Sequence, residues 1–332
     1  MTEMLIAKPI AIGRNIILYG PPGTGKTYRT AAIAVNQIDG THSTDRTFIK
    51  KRYDELVASD RISFVTFHPS FSYEEFVQGI VAETSNNTIS YSVRDGVFKS
   101  FCEKARANPS EHYVFIIDEL NRGNIARIFG ELITLLEPTK RAGSAEALSV
   151  TLPYSTDDEA EFSVPANITI IGTMNTADRS LTTLDAALRR RFTFEAVMPD
   201  STLLNDLFIE GVSIQTLFER INQRLAWVLD DDHQLGHSYF LALKQCATDE
   251  EKLQKLGDIF INSIIPQLNE YFFDDATKTA FVLNDYGHER LFVTQDTSRL
   301  FGGHLPLGLS NSRLVLQPAA LFNLDTYRQM AR

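Results

Sequence analysis

Residues 15–27 read NIILYGPPGTGKT. The opening run, 15–19, is apolar and β-branched in the manner of a buried strand. The remainder, Gly20, Pro21, Pro22, Gly23, Thr24, Gly25, Lys26 and Thr27, matches the spacing G-x-x-x-x-G-K-[ST]. The position gives the match its weight. Backbone N–H groups can curl around phosphate oxygens only where a strand hands the chain to a helix N-terminus, and the glycines leave room for the approach. On this reading Lys26 reaches the β and γ phosphates and the Thr27 hydroxyl ligates Mg2+. The competing reading is a chance glycine turn, and the strand–loop–helix context argues against it.

Similar runs recur at 62–67, 113–118, 168–173 and 192–197. Near-continuous apolar strands separated by helix-sized or longer segments predict a parallel sheet covered on both faces, a doubly wound α/β core occupying 1–199. Beyond Pro199 the pattern turns helical, predicting a smaller helical domain over 200–285; residues 286–332 are mixed and have no evident role. Two inserts interrupt the core. In 68–97, Ser72 and Glu75 fit a capping box and 88–93 reads as part of a hairpin; 138–166 resembles a second hairpin with an acidic tip.

Composition narrows the function. With 332 residues, 43% of them hydrophobic, the chain can bury a substantial core. Its 32 basic against 42 acidic residues give a formal charge of -10, which argues against a broad phosphate-neutralising surface and leaves DNA contact to a local groove or pore or to another component. The two cysteines, Cys102 and Cys246, lack metal-ligand spacing and fit a reducing, cytoplasmic setting. No apolar run is long enough to span a membrane and no export signal is evident.

Further polar groups fall at strand ends, where a parallel sheet exposes its ligand crevice. YVFIIDEL (113–120) ends in two acids: Asp118 would hold Mg2+ through its water shell and Glu119 would orient or deprotonate the attacking water. An acidic pair can also simply cap a helix. IIGTMNTADRSL (170–181) delivers Asn175, a neutral group able to contact a lytic water or a γ-phosphate oxygen; Asp178 and Arg179 could pair with each other, cap a helix or reach a neighbouring subunit. ALRRRF (187–192) sets Arg189, Arg190 and Arg191 in a row. Guanidinium groups suit a transferring phosphoryl group, including one on an adjacent protomer, but three in succession cannot all face one site. LGHSYF (235–240) offers His237 either as a nucleotide contact or as a packed core histidine.

The ordered set GPPGTGKT, FIIDELNR, MNTADRS, LRRRF and GHSYF, together with HPSFSYEEFVQGI and NEYFFDD, resembles the AAA+ superfamily and within it the McrB family, the motor subunits of modification-dependent restriction systems. The resemblance implies a five-stranded parallel AAA+ core with a helical lid, a ring that is usually a hexamer, and nucleotide held between protomers. It further implies GTP rather than ATP, and an McrC-like nuclease partner, with DNA engaged indirectly or through the pore. By motif, Lys26 and Thr27 take phosphate and metal, Asp118 and Glu119 metal and water, Asn175 senses, and one or more of Arg189, Arg190 and Arg191 acts in trans, Arg190 being favoured. Family members commonly carry a DNA-recognition domain ahead of the motor. Only nineteen residues precede Gly20, so the chain reads as a minimal motor or as part of a longer protein. There is no Asn-Lys-x-Asp run of the kind that reads guanine in small GTPases, which keeps ATP open. The alternatives are an ATP-driven remodelling factor of the dynein-like or MoxR-like branch acting on protein, and a scaffold that uses nucleotide as assembly glue.

Overall fold

A computed structural model of the chain describes residues 13–85, 88–155, 161–178, 186–296 and 312–332. They fall into two compact units. One runs to Val197 without the loop Pro21–Gly25; the other comprises that loop and Met198–Arg332.

The first unit is built on five strands: β1 (Asn15–Gly20), β2 (Ile62–Thr66), β3 (Tyr113–Asp118), β4 (Ile168–Asn175) and β5 (Thr193–Ala196). All pair in parallel, in the order β2-β3-β4-β1-β5. Alternation explains why the central runs are apolar throughout. Ile16 and Leu18 of β1, Val114 and Ile116 of β3 and Ile171 of β4 join one core with residues of α1 (Lys26–Asp39) and α2 (Arg46–Ala58). Their neighbours Ile17, Phe115, Ile117, Ile168 and Ile170 face the opposite core, with Phe98, Phe101 and Cys102 of α3 (Val97–Ala107). In that second core Phe76 stacks on Phe98 at 4.9 Å between centroids and meets Phe115 and Phe129 edge-on.

The first insert forms the expected capping box at Ser72 and Glu75, followed by the antiparallel hairpin Gln78–Ser85 with Thr88–Asp95. In the second, the expected acidic tip at 156–160 lies outside the described residues. Val150 and Phe162 exchange backbone hydrogen bonds of 2.9 and 2.8 Å as a single antiparallel bridge, and Ala142 bridges Pro165 in parallel. Arg141, at the start of this segment, is fully buried; it donates to Asn15 Oδ1 at 2.6 Å and to the carbonyl of Ile168, tying it to the first residues of β1 and β4. Burial pushes its guanidinium down to about 10.

The second unit carries α4 (Ile214–Val228), α5 (Asp249–Ile259), α6 (Ile265–Phe272) and α7 (Ala276–Val282). The segment that the sequence sets apart as an extension contributes to the same core: Leu291, Phe292, Leu321, Tyr327 and Met330 pack in one cluster with Leu217, Ile221, Leu225, Phe240 and Leu268. It adds an antiparallel pair, Phe292–Asp296 with Ser312–Leu316, and α8 (Leu324–Met330). Among the described residues, no helix is long and apolar enough to cross a membrane.

Candidate nucleotide site

Parallel pairing brings the polar strand ends of the first unit together. Gly20 at the end of β1 is in register with Asn175 at the end of β4, and β4 also pairs with β3, which ends in Asp118. The register requires close approach at Gly20. A Cβ there would lie 2.5 Å from the Val197 carbonyl oxygen, and φ is +149°. The Thr176 N–H donates to the Gly20 carbonyl at 3.2 Å, and Lys26 Nζ donates to the same oxygen at 2.9 Å. Lys26 is nearly buried, and that burial pushes its ammonium down to about 8, with the carboxylates of Glu119, Asp118 and Asp178 pulling the other way.

Thr27 Oγ1 lies 3.3 Å from Asp118 Oδ1, and the same carboxylate oxygen accepts from the Thr173 hydroxyl. Two hard oxygen donors thus converge beside Lys26. Among the described residues, no group of three or more His, Cys, Asp or Glu could hold a metal by itself. A hydroxyl and one carboxylate fit a small divalent cation that completes its shell with water and substrate phosphate, as Mg2+ does.

Glu119 departs from β3 in the left-handed region, at φ +53°. That conformation is uncommon for a residue with a side chain, and its cost is offset by specific partners. The Glu119 N–H donates to Thr173 Oγ1 at 3.2 Å, while its carboxylate accepts from Asn175 Nδ2 at 2.6 Å and from Arg122 Nε at 3.2 Å. Adjacent acids are thereby sent to separate tasks, Asp118 toward Thr27 and Glu119 toward Asn175. The sequence places Asn175 beyond the strand; it is the last residue of β4, braced through its carbonyl by Asn121 Nδ2 at 3.0 Å.

Arg122 also reaches Asp178 at 3.1 Å, so Asp178 belongs to this cluster. Arg179 lies outside the described residues. Arg122, Asn121 and Thr173 were missed as site residues by sequence reasoning, although both Asn121 and Arg122 stand in the FIIDELNR run. The positions of Asn121 and Arg122 follow from the turn at Glu119, which no motif spacing announces.

The three arginines part company. Arg191 is buried, pairs with Glu137 at 3.2 Å, and has its carbonyl held by Asn15 Nδ2 at 2.9 Å. Arg190 has a side chain 68% exposed, with Glu137 3.5 Å away. The guanidinium of Arg189 lies over the Phe194 ring at 5.8 Å.

The second unit contains the middle of the phosphate loop. Pro21 to Gly25 pack against the GHSYF motif: the Ser238 N–H donates to the Gly23 carbonyl at 3.1 Å, and a Cβ on Gly236 would fall 2.1 Å from the Gly23 carbonyl carbon. Only glycine fits at 236, a requirement sequence reasoning missed while naming its neighbour. His237 is buried, accepts from the Asp200 N–H through Nδ1 at 3.2 Å, and has its proton affinity lowered by that burial. At neutral pH it is an uncharged group one residue from the loop contact.

Residues 213–280 match the family model of the McrB alpha-helical lid domain, and 40–192 match that of the AAA domain of the dynein-related subfamily. The Type IV methyl-directed restriction enzyme EcoKMcrB subunit of Escherichia coli strain K12 is 38% identical over 289 residues, which is 82% of this chain and 57% of that protein. The Type II restriction enzyme BsuMI component YdiS of Bacillus subtilis strain 168 is 27% identical over 56% of this chain and 57% of its own length. The chain thus spans somewhat over half the length of these curated relatives. A solved structure of a putative ATPase from Cytophaga hutchinsonii covers 80% of this chain and 78% of its own at 11% identity, with a TM-score of 0.30, too loose a superposition to bear on the fold.

Proposed function

The chain belongs to the McrB family of AAA+ proteins, and on that premise we propose that it is the nucleoside-triphosphatase motor of a restriction complex. The observation that carries the reading is the convergence at the ends of β1, β3 and β4: Lys26 and Thr27 beside Asp118, with Glu119 held by Asn175. Lys26 and the loop amides bind the phosphates; Thr27 and Asp118 would hold Mg2+, which when bound would supply positive charge beside the phosphate oxygens. Glu119 orients the attacking water and takes its proton; Asn175 keeps that carboxylate aimed and stands ready to contact water or γ-phosphate.

GTP is the preferred nucleotide in this proposal, a preference that rests on the family resemblance. A ring, a hexamer by that resemblance, completes each site with an arginine from the neighbouring protomer. Arg190 is the candidate: Arg191 is buried against Glu137 at 3.2 Å, whereas the Arg190 side chain is 68% exposed with the same Glu137 3.5 Å away. An McrC-like nuclease subunit is the partner, and DNA is reached through the assembly.

The test is phosphate release and assembly state with GTP and with ATP, each with and without the candidate nuclease subunit. The expected result is nucleotide-dependent rings, faster turnover of GTP, and stimulation by the nuclease. Monomers at saturating nucleotide, or strong preference for ATP, overturn the restriction-motor reading in favour of a protein-remodelling relative.

A further inference from the structure

Helix α4 buries Ile214, Leu217, Phe218, Ile221 and Leu225 on one face. On another face Arg220, Gln223, Arg224 and Trp227 recur at i, i+3, i+4 and i+7, the spacing of a single stripe. Lys278 and Phe281 of α7 stand opposite, and the two helices wall an open cleft of about 530 Å3. That volume lies within the ~300–1,000 Å3 of small-molecule sites and accommodates a nucleotide unit. All these residues belong to the second unit.

The lining is unusual for a chain of net charge -10. Among the described residues, neither Arg220 nor Arg224 forms an ion pair. Arg220 donates to Gln223 Oε1 at 3.1 Å, and Arg224 donates to the carbonyls of Met330 at 2.7 Å and Val282 at 3.4 Å, at the C-terminal ends of α8 and α7. Lys278 has only a loose pair with Asp275 at 3.7 Å. Beside these cations Trp227 is 91% exposed, and Phe281 stacks on Tyr286 with centroids 4.1 Å apart and both rings half open to solvent.

We propose that this cleft binds single-stranded nucleic acid, with backbone phosphates on Arg220, Arg224 and Lys278 and a base stacked on the Trp227 indole. Flat, solvent-facing rings interleaved with cations are the two elements from which sequence-tolerant single-strand sites are made. An acidic peptide would use the cations but not the exposed ring faces. The overall negative charge makes any polyanion contact local, and this stripe supplies the locality. The inference does not depend on nucleotide hydrolysis, and its test needs no nucleoside triphosphate, so its failure leaves the motor reading standing.

Trp227 is the only tryptophan in the chain, so intrinsic fluorescence reports on the site directly. Titration of the full chain with a short oligothymidylate is expected to quench that emission saturably. Affinity should fall with salt at a log–log slope of about -2, as for three neutralised phosphates on a single strand. Anisotropy of a labelled strand should show Trp227→Ala binding weaker by on the order of tenfold. Arg220→Glu with Lys278→Glu should abolish binding, while melting temperature and basal phosphate release stay at wild-type values. Absence of quenching, unchanged strand affinity in Trp227→Ala, equal quenching by polyglutamate, or equal affinity for thymidine monophosphate would each overturn the proposal.

Discussion

Two runs of consecutive like charges, Asp118-Glu119 and Arg189-Arg190-Arg191, are organised in opposite ways. At the acidic pair the backbone turns into the left-handed region at Glu119, and both carboxylates stay within one cluster with Thr27, Thr173, Asn175 and Arg122. At the arginines the chain disperses its charge: Arg191 is buried against Glu137, Arg189 lies over Phe194, and Arg190 is largely exposed at the outer side of the same Glu137. The acids are gathered with hydroxyl, amide and guanidinium partners, whereas Arg190 and Arg191 share the Glu137 carboxylate and the three arginines are spread apart. On the proposed reading the acidic run works within its own chain, and Arg190, 68% exposed, serves the next.

The largest effect that can break this contrast is on turnover. Arg190→Ala is expected to lower steady-state phosphate release on the order of 10^3-fold without changing melting temperature, because a guanidinium supplied in trans acts on the transition state. An effect under tenfold would remove Arg190 from the site. Arg191→Ala should behave conversely, lowering unfolding free energy by about 3 kcal/mol in a denaturant titration, since it removes the buried one of the two cations on Glu137 and leaves only the exposed Arg190 at 3.5 Å. Wild-type stability with lost turnover would exchange the roles of the two arginines.

On the acidic side the sharper probe is pH. Burial holds the Lys26 ammonium near 8 in the free protein, and bound phosphate favours its charged form. Nucleotide affinity is therefore expected to weaken progressively as pH rises through about 8, by up to roughly tenfold per unit, with proton uptake on binding visible by calorimetry in buffers of different ionisation heat. A flat profile between pH 7 and 9.5 would mean that Lys26 is not desolvated. For stability the sign is opposite: the folded state binds fewer protons than the unfolded state between about 8 and the ordinary lysine value, so this group adds stability as pH rises through that window. The smallest effect belongs to Arg189→Ala, which removes a cation–π contact with Phe194 and should change unfolding free energy by no more than about 1 kcal/mol.

Much of the sheet was legible because alternation and loop chemistry are local. The strand at 113–118 was read to the residue, and the others within one or two, β4 running on through Asn175. The phosphate loop and the acid pair were visible as spacing. The partition of the arginines was not, since it depends on Glu137 and Asn15, remote in sequence. The same holds for Arg122, whose reach to both Glu119 and Asp178 depends on one left-handed residue, and for Gly236, whose need for a bare Cα arises from a loop more than two hundred positions earlier. The union of 291–292 and 321–330 with the helical core was hidden for a related reason: their apolar residues find partners far away in the chain. The stripe at 220, 223, 224 and 227, by contrast, was there to be read at helical spacing.

The central claim, an acid pair acting within its own chain and an arginine acting on the next, is tested most directly by mixing Glu119→Gln with Arg190→Ala protein and measuring GTP hydrolysis of the co-assembled mixture. Each variant alone should be nearly inactive. The mixture should recover about a quarter of wild-type turnover per site, because random head-to-tail neighbours pair an intact Glu119 with an intact Arg190 at that frequency. A mixed assembly as inactive as its components would contradict the account.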